Sequence, residues 1–151
     1  MSIQDRLNSL DITLPTPPKP AGAYVPCVRC GSEIFVSGQI PVQDGKVTCS
    51  GKVGSDVDLE TAQEAARTCI LNGLAALQAE LGNLDVIKQI VRIDVFVNSA
   101  QGFTDQPQVA NGASNLLQDI FGDAGIHARM AIGAAELPLD VSVEIALIAR
   151  V

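Results

Sequence analysis

The sequence predicts an α+β domain, a mixed β-sheet with two helices packed on one face. Two segments repeat apolar residues at helical spacing between a cap and a stop, and short Val- and Ile-rich runs surround them. The resulting order, β-β-β-α-β-α-β-β, is not the regular alternation of a parallel α/β fold.

Near the N-terminus, Ile3, Leu7 and Leu10 lie at helical spacing within residues 2–12. The run Leu14-Pro15-Thr16-Pro17-Pro18-Lys19-Pro20 then enforces extended chain, because proline lacks an amide donor and restricts the residue before it. Residues 1–22 are therefore expected to form an arm laid over a domain at 23–151. Tyr24 to Arg29 and Glu33 to Ser37 read as strands around Gly31-Ser32. A turn at Gln43-Asp44-Gly45 and a third strand at Lys46 to Cys49 would complete a β-meander.

The first long helix is expected from Leu59 to Leu81, with Asp58 as N-cap and Gly82-Asn83 as its stop. Its apolar stripe includes Ala62, Ala66, Cys69, Ile70, Gly73, Leu74 and Leu77. A strand follows at Ile87 to Asn98, where Ile93, Val95 and Val97 alternate with Arg92, Asp94 and Phe96. Thr104 or Asp105 opens a second helix, Pro107 to Phe121, whose stripe is Val109, Ala113, Leu116, Leu117, Ile120 and Phe121. Two final strands, Ala128–Ala134 and Val141–Ala149, flank Leu137-Pro138-Leu139-Asp140 and read as an antiparallel hairpin. The strand face away from the helices carries Val, Ile, Ala and Phe, so oligomerisation through it is expected over a half-polar sheet in a monomer.

Composition limits the functions available. A chain of 151 residues that is 47% apolar is one domain's worth of core. With no Trp, one Tyr and four Phe, that core must be aliphatic. Asp and Glu number 17 against 10 Lys and Arg, and the cations are scattered singly. Nucleic-acid binding needs several cations on one face, so it is not expected. Met1 to Leu7 has no basic segment leading into an apolar run, and no stretch approaches the roughly 18 apolar residues of a membrane span. A cytoplasmic protein with no membrane partner and four reduced cysteines (Cys27, Cys30, Cys49, Cys69) is the expectation.

Most candidate motifs dissolve on inspection. Cys27-Val28-Arg29-Cys30 is a C-x-x-C, but odd spacing on a strand sends the thiols to opposite faces, and no second ligand pair exists for a metal. Both are read as small packed residues. His127, the lone histidine, has no nucleophile beside it in sequence and is read as structural or solvated. Gly51-Lys52-Val53-Gly54-Ser55 lacks phosphate-loop spacing.

Arg129 and Glu144 stand apart as lone charges inside otherwise apolar strands, where an unpartnered charge is costly if buried. Nearly equidistant from Leu137-Pro138, they would be cross-strand neighbours in a hairpin. Two readings follow. One is an ion pair closing the hairpin. The other is a guanidinium fork for a substrate carboxylate, with the glutamate handling water or a proton.

Three segments resemble the RidA/YjgF family, L-PSP in older naming. They are Ala23-Tyr24-Val25-Pro26 leading to Glu33-Ile34-Phe35-Val36-Ser37-Gly38-Gln39-Ile40-Pro41, then Val91-Arg92-Ile93-Asp94-Val95-Phe96-Val97, and Ala128-Arg129 with Leu137-Pro138 and Val143-Glu144-Ile145. The arm and residues 98–107 resemble a longer branch. The resemblance implies a chorismate-mutase-like fold and a homotrimer with clefts between subunits. It also implies hydrolysis of reactive enamines and 2-imino acids to 2-keto acids and ammonia, without cofactor or metal. By position, Arg129 would hold the carboxylate and Glu144 would orient or activate water. Tyr24 would line the pocket from the neighbouring subunit, and the backbone near Gly38 would fix the substrate. Many members carry Ser then Cys after the arginine, where this chain has Met130 and Ala131, implying a bulkier and then less polar pocket floor. Two rival functions remain: a non-catalytic module binding a small carboxylate or ketone in the same cleft, and an endoribonuclease or translation inhibitor, which the acidic chain disfavours.

Overall fold

The computed structural model describes residues 1–17, 19 and 22–151. Along the chain run α1 (Ile3–Ser9), β1 (Cys27–Cys30), β2 (Glu33–Gln39), β3 (Val42–Gln43), β4 (Lys46–Val47) and α2 (Leu59–Leu81). After these come β5 (Gln89–Asn98), α3 (Gln106–Phe121), β6 (Ala128–Ala134) and β7 (Val143–Arg150). Five strands form one sheet in the order β1-β2-β7-β5-β6. Every neighbouring pair is antiparallel except β5–β6, which is parallel, so the sheet is mixed as expected.

Local chemistry explains the helix limits. The Asp58 carboxylate accepts from the Thr61 amide at 2.8 Å, and Gly82 stops α2 at a φ of 77° that side chains resist. Pro107 sits in the first turn of α3, where its missing amide costs nothing. The two helices bury Ile70, Leu74, Leu77, Leu116 and Leu117 against Ile93, Val95, Val97 and Ile145 of the sheet. Short α1 is capped by Ser2 and Asp5 and buries Leu7.

Helices α2 and α3 touch where Gly112 faces Gln63: a Cβ there would lie 2.3 Å from the Gln63 carbonyl oxygen. Gly112→Ala must push the helices apart and is expected to cost about 1–3 kcal/mol, read as a lower urea midpoint. An unchanged midpoint would refute the close contact.

Two expectations about strand pairing need correction. The segment after β2 does not extend the main sheet as a meander. Pro41 cannot donate to a ladder, and β3 and β4 form a separate hairpin through Asp44 and Gly45, both at positive φ (51° and 76°). More consequentially, β6 and β7 are not a hairpin. β5 lies between them, pairing Val97 with Gly133 of β6 on one side and with Val143 of β7 on the other. The connection crosses the end of β5, where buried Asn98 holds it. The Asn98 side-chain amide donates to the Val141 carbonyl (3.1 Å) and to Asp140 Oδ1 (3.0 Å), and its oxygen accepts from Lys52 Nζ (2.9 Å). Central placement seals both edges of β5, the strand that carries fully buried Ile93, Val95 and Val97.

The other face of the sheet is left open by the described residues. Val28, Phe35 and Ile132 are 54%, 43% and 41% exposed there. No helix of the described residues is long and apolar enough to cross a membrane.

Candidate functional site

Arg129 lies on edge strand β6 opposite Ile93, a fully buried residue, so its side chain leaves the sheet on the helix side. Being on the edge, it escapes burial and runs along α3. Its Nη1 donates to Asn111 Oδ1 at 2.8 Å and to Ser114 Oγ at 3.1 Å. Both acceptors are neutral. The ion pairs among the described residues are Lys52–Glu136, Arg67–Glu64 and Arg92–Asp94, and none involves Arg129. The guanidinium is thus oriented without being neutralised. Two of its five N–H groups are used, and the Nε and Nη2 edge keeps the side-on geometry of a carboxylate fork.

Glu144 lies on β7 opposite Phe96, on the open face of the sheet. It is half-buried, and burial pushes its carboxyl above the usual 4.5. Gly38 makes room for it: a Cβ at Gly38 would lie 2.4 Å from Glu144 Oε1. Gly38 sits where the β2–β7 register shifts between Val36 and Gln39, which brings its bare backbone up to the carboxylate. The next residue back ties in the preceding segment. Ser37 donates from its amide to the Pro26 carbonyl (2.8 Å) and from Oγ to the Val25 carbonyl (2.7 Å), which sets exposed Tyr24 nearby in the chain.

A cavity of about 600 Å³ opens between this segment and the N-terminal arm. Tyr24, Gly38, Ile40 and Leu139 line it, with Pro15 and Pro17 from the arm. Buried Asn72 of α2 shapes its floor by donating to the Ile40 and Val42 carbonyls at 3.1 and 3.0 Å. Sequence reasoning passed over Asn72; an amide interrupting an otherwise apolar helical stripe was the available signal.

The structure therefore groups Glu144, Gly38 and Tyr24 on one side of a protomer and Arg129 on another. The expected cross-strand pairing of Arg129 with Glu144 is wrong. Arg129 pairs with Ile93 and Glu144 with Phe96, so strand β5 separates them, they are offset along it, and they leave the sheet on opposite faces. The reading of the two as an ion pair falls with it.

Other singled-out residues are placed as follows. Alternation along β6 puts Met130 on the face opposite Arg129, paired with Asp94, so its bulk points away from the guanidinium, and Ala131 shares Arg129's face. His127 is half-buried, with Nδ1 2.6 Å from the Gly125 carbonyl and Nε2 3.0 Å from Ser114 Oγ. Sequence spacing gave no hint that it stands one hydroxyl away from Arg129.

All four thiols are free. Cys27 is buried, with its thiol pushed up to about 11 by burial and by Glu80. Cys30 is exposed, which corrects its reading as a packed residue: it lies near the sheet's edge, on the uncovered face. Buried Cys27, Cys49 and Cys69 are expected to resist a thiol reagent at neutral pH in the folded protein and to react only after denaturation. Mass spectrometry of the adducts checks this, and early labelling of Cys27 would contradict its burial.

The chain is thus a mixed sheet with a helix pair on one face, an unneutralised arginine at its edge and a glutamate seated against glycine on its open face. Residues 4–151 match the family described as "YjgF/chorismate mutase-like, putative endoribonuclease". The chain belongs to that family and has its chorismate-mutase-like fold. It is similar to protein TCP17 of Trypanosoma cruzi, 44% identical over 140 residues, or 92% of this chain and 88% of TCP17. It also resembles the 2-iminobutanoate/2-iminopropanoate deaminase of Salmonella typhimurium, 31% identical over 135 residues, covering 87% of this chain and 90% of the deaminase. Among solved structures it resembles Atu1372 from Agrobacterium tumefaciens, a protein of unknown function. The match has a TM-score of 0.91 and 42% identity, and covers 99% of this chain and 92% of that one.

Proposed function

We propose that the protein hydrolyses reactive 2-imino and enamine acids to 2-keto acids and ammonia, in clefts between the subunits of a homotrimer. The observation that carries this reading is Arg129: an exposed guanidinium held by two neutral acceptors, with no carboxylate paired to it among the described residues. Such a group is prepared for an anion from outside the protomer. The likeness to the Salmonella deaminase supplies the substrate class.

Arg129 and Glu144 leave opposite faces of one protomer, so one substrate meets both only when two copies contribute. One copy supplies Arg129, and its neighbour supplies Glu144, Gly38 and Tyr24. Burial of the open apolar face around Val28, Phe35 and Ile132 drives the assembly.

In the chemistry, Arg129 grips the carboxylate and orients the adjacent C=N carbon. Glu144 takes a proton from water as its oxygen bonds to that carbon, giving a carbinolamine. The proton passes to nitrogen; Glu144 then takes the carbinolamine hydroxyl proton and delivers it to the same nitrogen as the C=O bond forms and the C–N bond breaks, so ammonia leaves the 2-keto acid. An enamine enters the same path after a proton moves to its β-carbon. A carboxylate with a raised pKa suits both the uptake and the return of the proton. The net charge of −7 and scattered cations disfavour RNA as a substrate.

The test is release of ammonia and keto acid from imino acids generated in situ by an amino-acid oxidase, with sedimentation for mass. Acceleration at three times the 15.8 kDa chain mass supports the reading. Carboxylate binding without acceleration would make the protein a binding module instead.

A further inference from the structure

We propose that His127 is a positioning residue for Arg129, acting through the Ser114 hydroxyl. The proposal rests on Arg129 as the carboxylate anchor and adds what holds the anchor in register.

The polarity of the chain of contacts is forced by its two ends. The Gly125 carbonyl can only accept, so the His127 Nδ1 at 2.6 Å carries the ring proton. In the neutral ring Nε2 is then bare and accepts, and the donor facing it at 3.0 Å is the Ser114 hydroxyl. At the other end a guanidinium can only donate, so Arg129 Nη1 gives its hydrogen to Ser114 Oγ at 3.1 Å. The order is Arg129 to Ser114 to His127 to the Gly125 carbonyl, and each bond fixes the direction of the next.

The histidine answers a specific difficulty. A serine inside a helix tends to turn its hydroxyl proton back onto the carbonyl one turn earlier. By taking that proton, His127 directs an Oγ lone pair at the guanidinium. Asn111 Oδ1 at 2.8 Å receives the second Nη1 hydrogen, so the plane of the guanidinium is set from two points on α3. The Nε and Nη2 edge is thereby left facing away from the helix. Burial of the ring pushes the His127 pKa below its ordinary value, outweighing the opposing Gly125 bond. The charge of Arg129 acts in the same direction as burial, so the ring stays neutral at pH 7.

Because His127 is the single histidine, its imidazole ¹⁵N spectrum needs no assignment. At pH 7 it is expected to show the proton on Nδ1 and a bare Nε2, the reverse of the tautomer that free histidine prefers. The Nη resonances of Arg129 are expected to be distinct in the wild type and to merge in His127→Phe and in Ser114→Ala, as the guanidinium begins to rotate. Calorimetry with 2-oxobutanoate, a stable keto acid, is expected to show a roughly tenfold weaker Kd in each variant. In turnover the same factor should fall on KM, with kcat changed less than twofold. The double variant should be no worse than Ser114→Ala, and His127→Gln, whose amide oxygen can accept the serine proton, should recover part of the loss.

A proton on Nε2, or distinct Nη resonances and unchanged Kd in both single variants, would overturn the proposal. If wild type fails to bind 2-oxobutanoate while the Nη resonances still depend on His127, the positioning role stands and the deaminase reading falls.

Discussion

Arg129→Ala is expected to lower kcat/KM for imino acids by roughly 150-fold, the equivalent of about 3 kcal/mol for losing one partner of a desolvated charge pair. The same variant should lose measurable binding of 2-oxobutanoate. Its thermal midpoint should barely move, because the exposed side chain gives the fold only two hydrogen bonds to neutral acceptors and no ion pair. Arg129→Lys keeps the charge but replaces the fork with a point cation that cannot hold Asn111, Ser114 and a carboxylate at once. It should fall between wild type and alanine. Retention of keto-acid binding by Arg129→Ala would assign the anchor elsewhere, with the arm-lined cavity the next place to look.

Glu144→Gln is expected to keep ligand binding and lose about 10²- to 10⁴-fold in kcat, the range for removing a general acid–base group. Glutamine is isosteric, so the close approach to Gly38 survives the change. This variant also carries a stability signature whose sign follows from burial. The folded state holds the Glu144 proton to higher pH than the unfolded state does. Below the ordinary 4.5 the group is protonated in both states and costs nothing. As pH rises through the ordinary value and on through the raised one, ionisation favours the unfolded chain. The glutamine variant should therefore match wild type in urea midpoint near pH 4 and exceed it at pH 7. A variant equally active with wild type would leave Glu144 a purely structural residue. A midpoint difference independent of pH would mean that burial does not shift its carboxyl.

The two sets of measurements are separable because the residues sit on different faces of the sheet. On the proposed function, Arg129 reports on carboxylate capture and on the α3 contacts behind it, whereas Glu144 reports on proton handling. If both variants fail while sedimenting at the wild-type mass, the result supports the proposed composite cleft as the common cause. Mixing the two inactive variants tests that directly. In the proposed homotrimer, mixed assemblies would contain clefts with an intact Arg129 and an intact Glu144, so activity should partly return.

Much of this protein is decided locally, and that part was legible in residue order. Helix α2 begins and ends where Asp58 and Gly82 say it should, since a capping carboxylate and a left-handed glycine act within one turn. Strand β6 occupies Ala128–Ala134 as its apolar run predicts, and α3 starts only one residue earlier than expected. Arg129 and Glu144 were conspicuous because a charge amid aliphatic strand residues needs a reason. Which strands lie side by side was not legible. Period-two alternation states which residues of one strand share a face, and it is silent on the neighbouring strand. Leu137-Pro138 between two apolar runs looks like a hairpin, yet burying β5 on both edges and tying the crossing down at Asn98 gave the tertiary arrangement. That choice alone moved Glu144 away from Arg129 and put the two charges of an apparent ion pair on opposite faces of the sheet. The contacts that orient Arg129 have the same origin: Asn111, Ser114 and His127 lie on a helix and at the exit of a turn. They converge only because α3 packs beside the edge strand, a long-range event that no short window of sequence encodes.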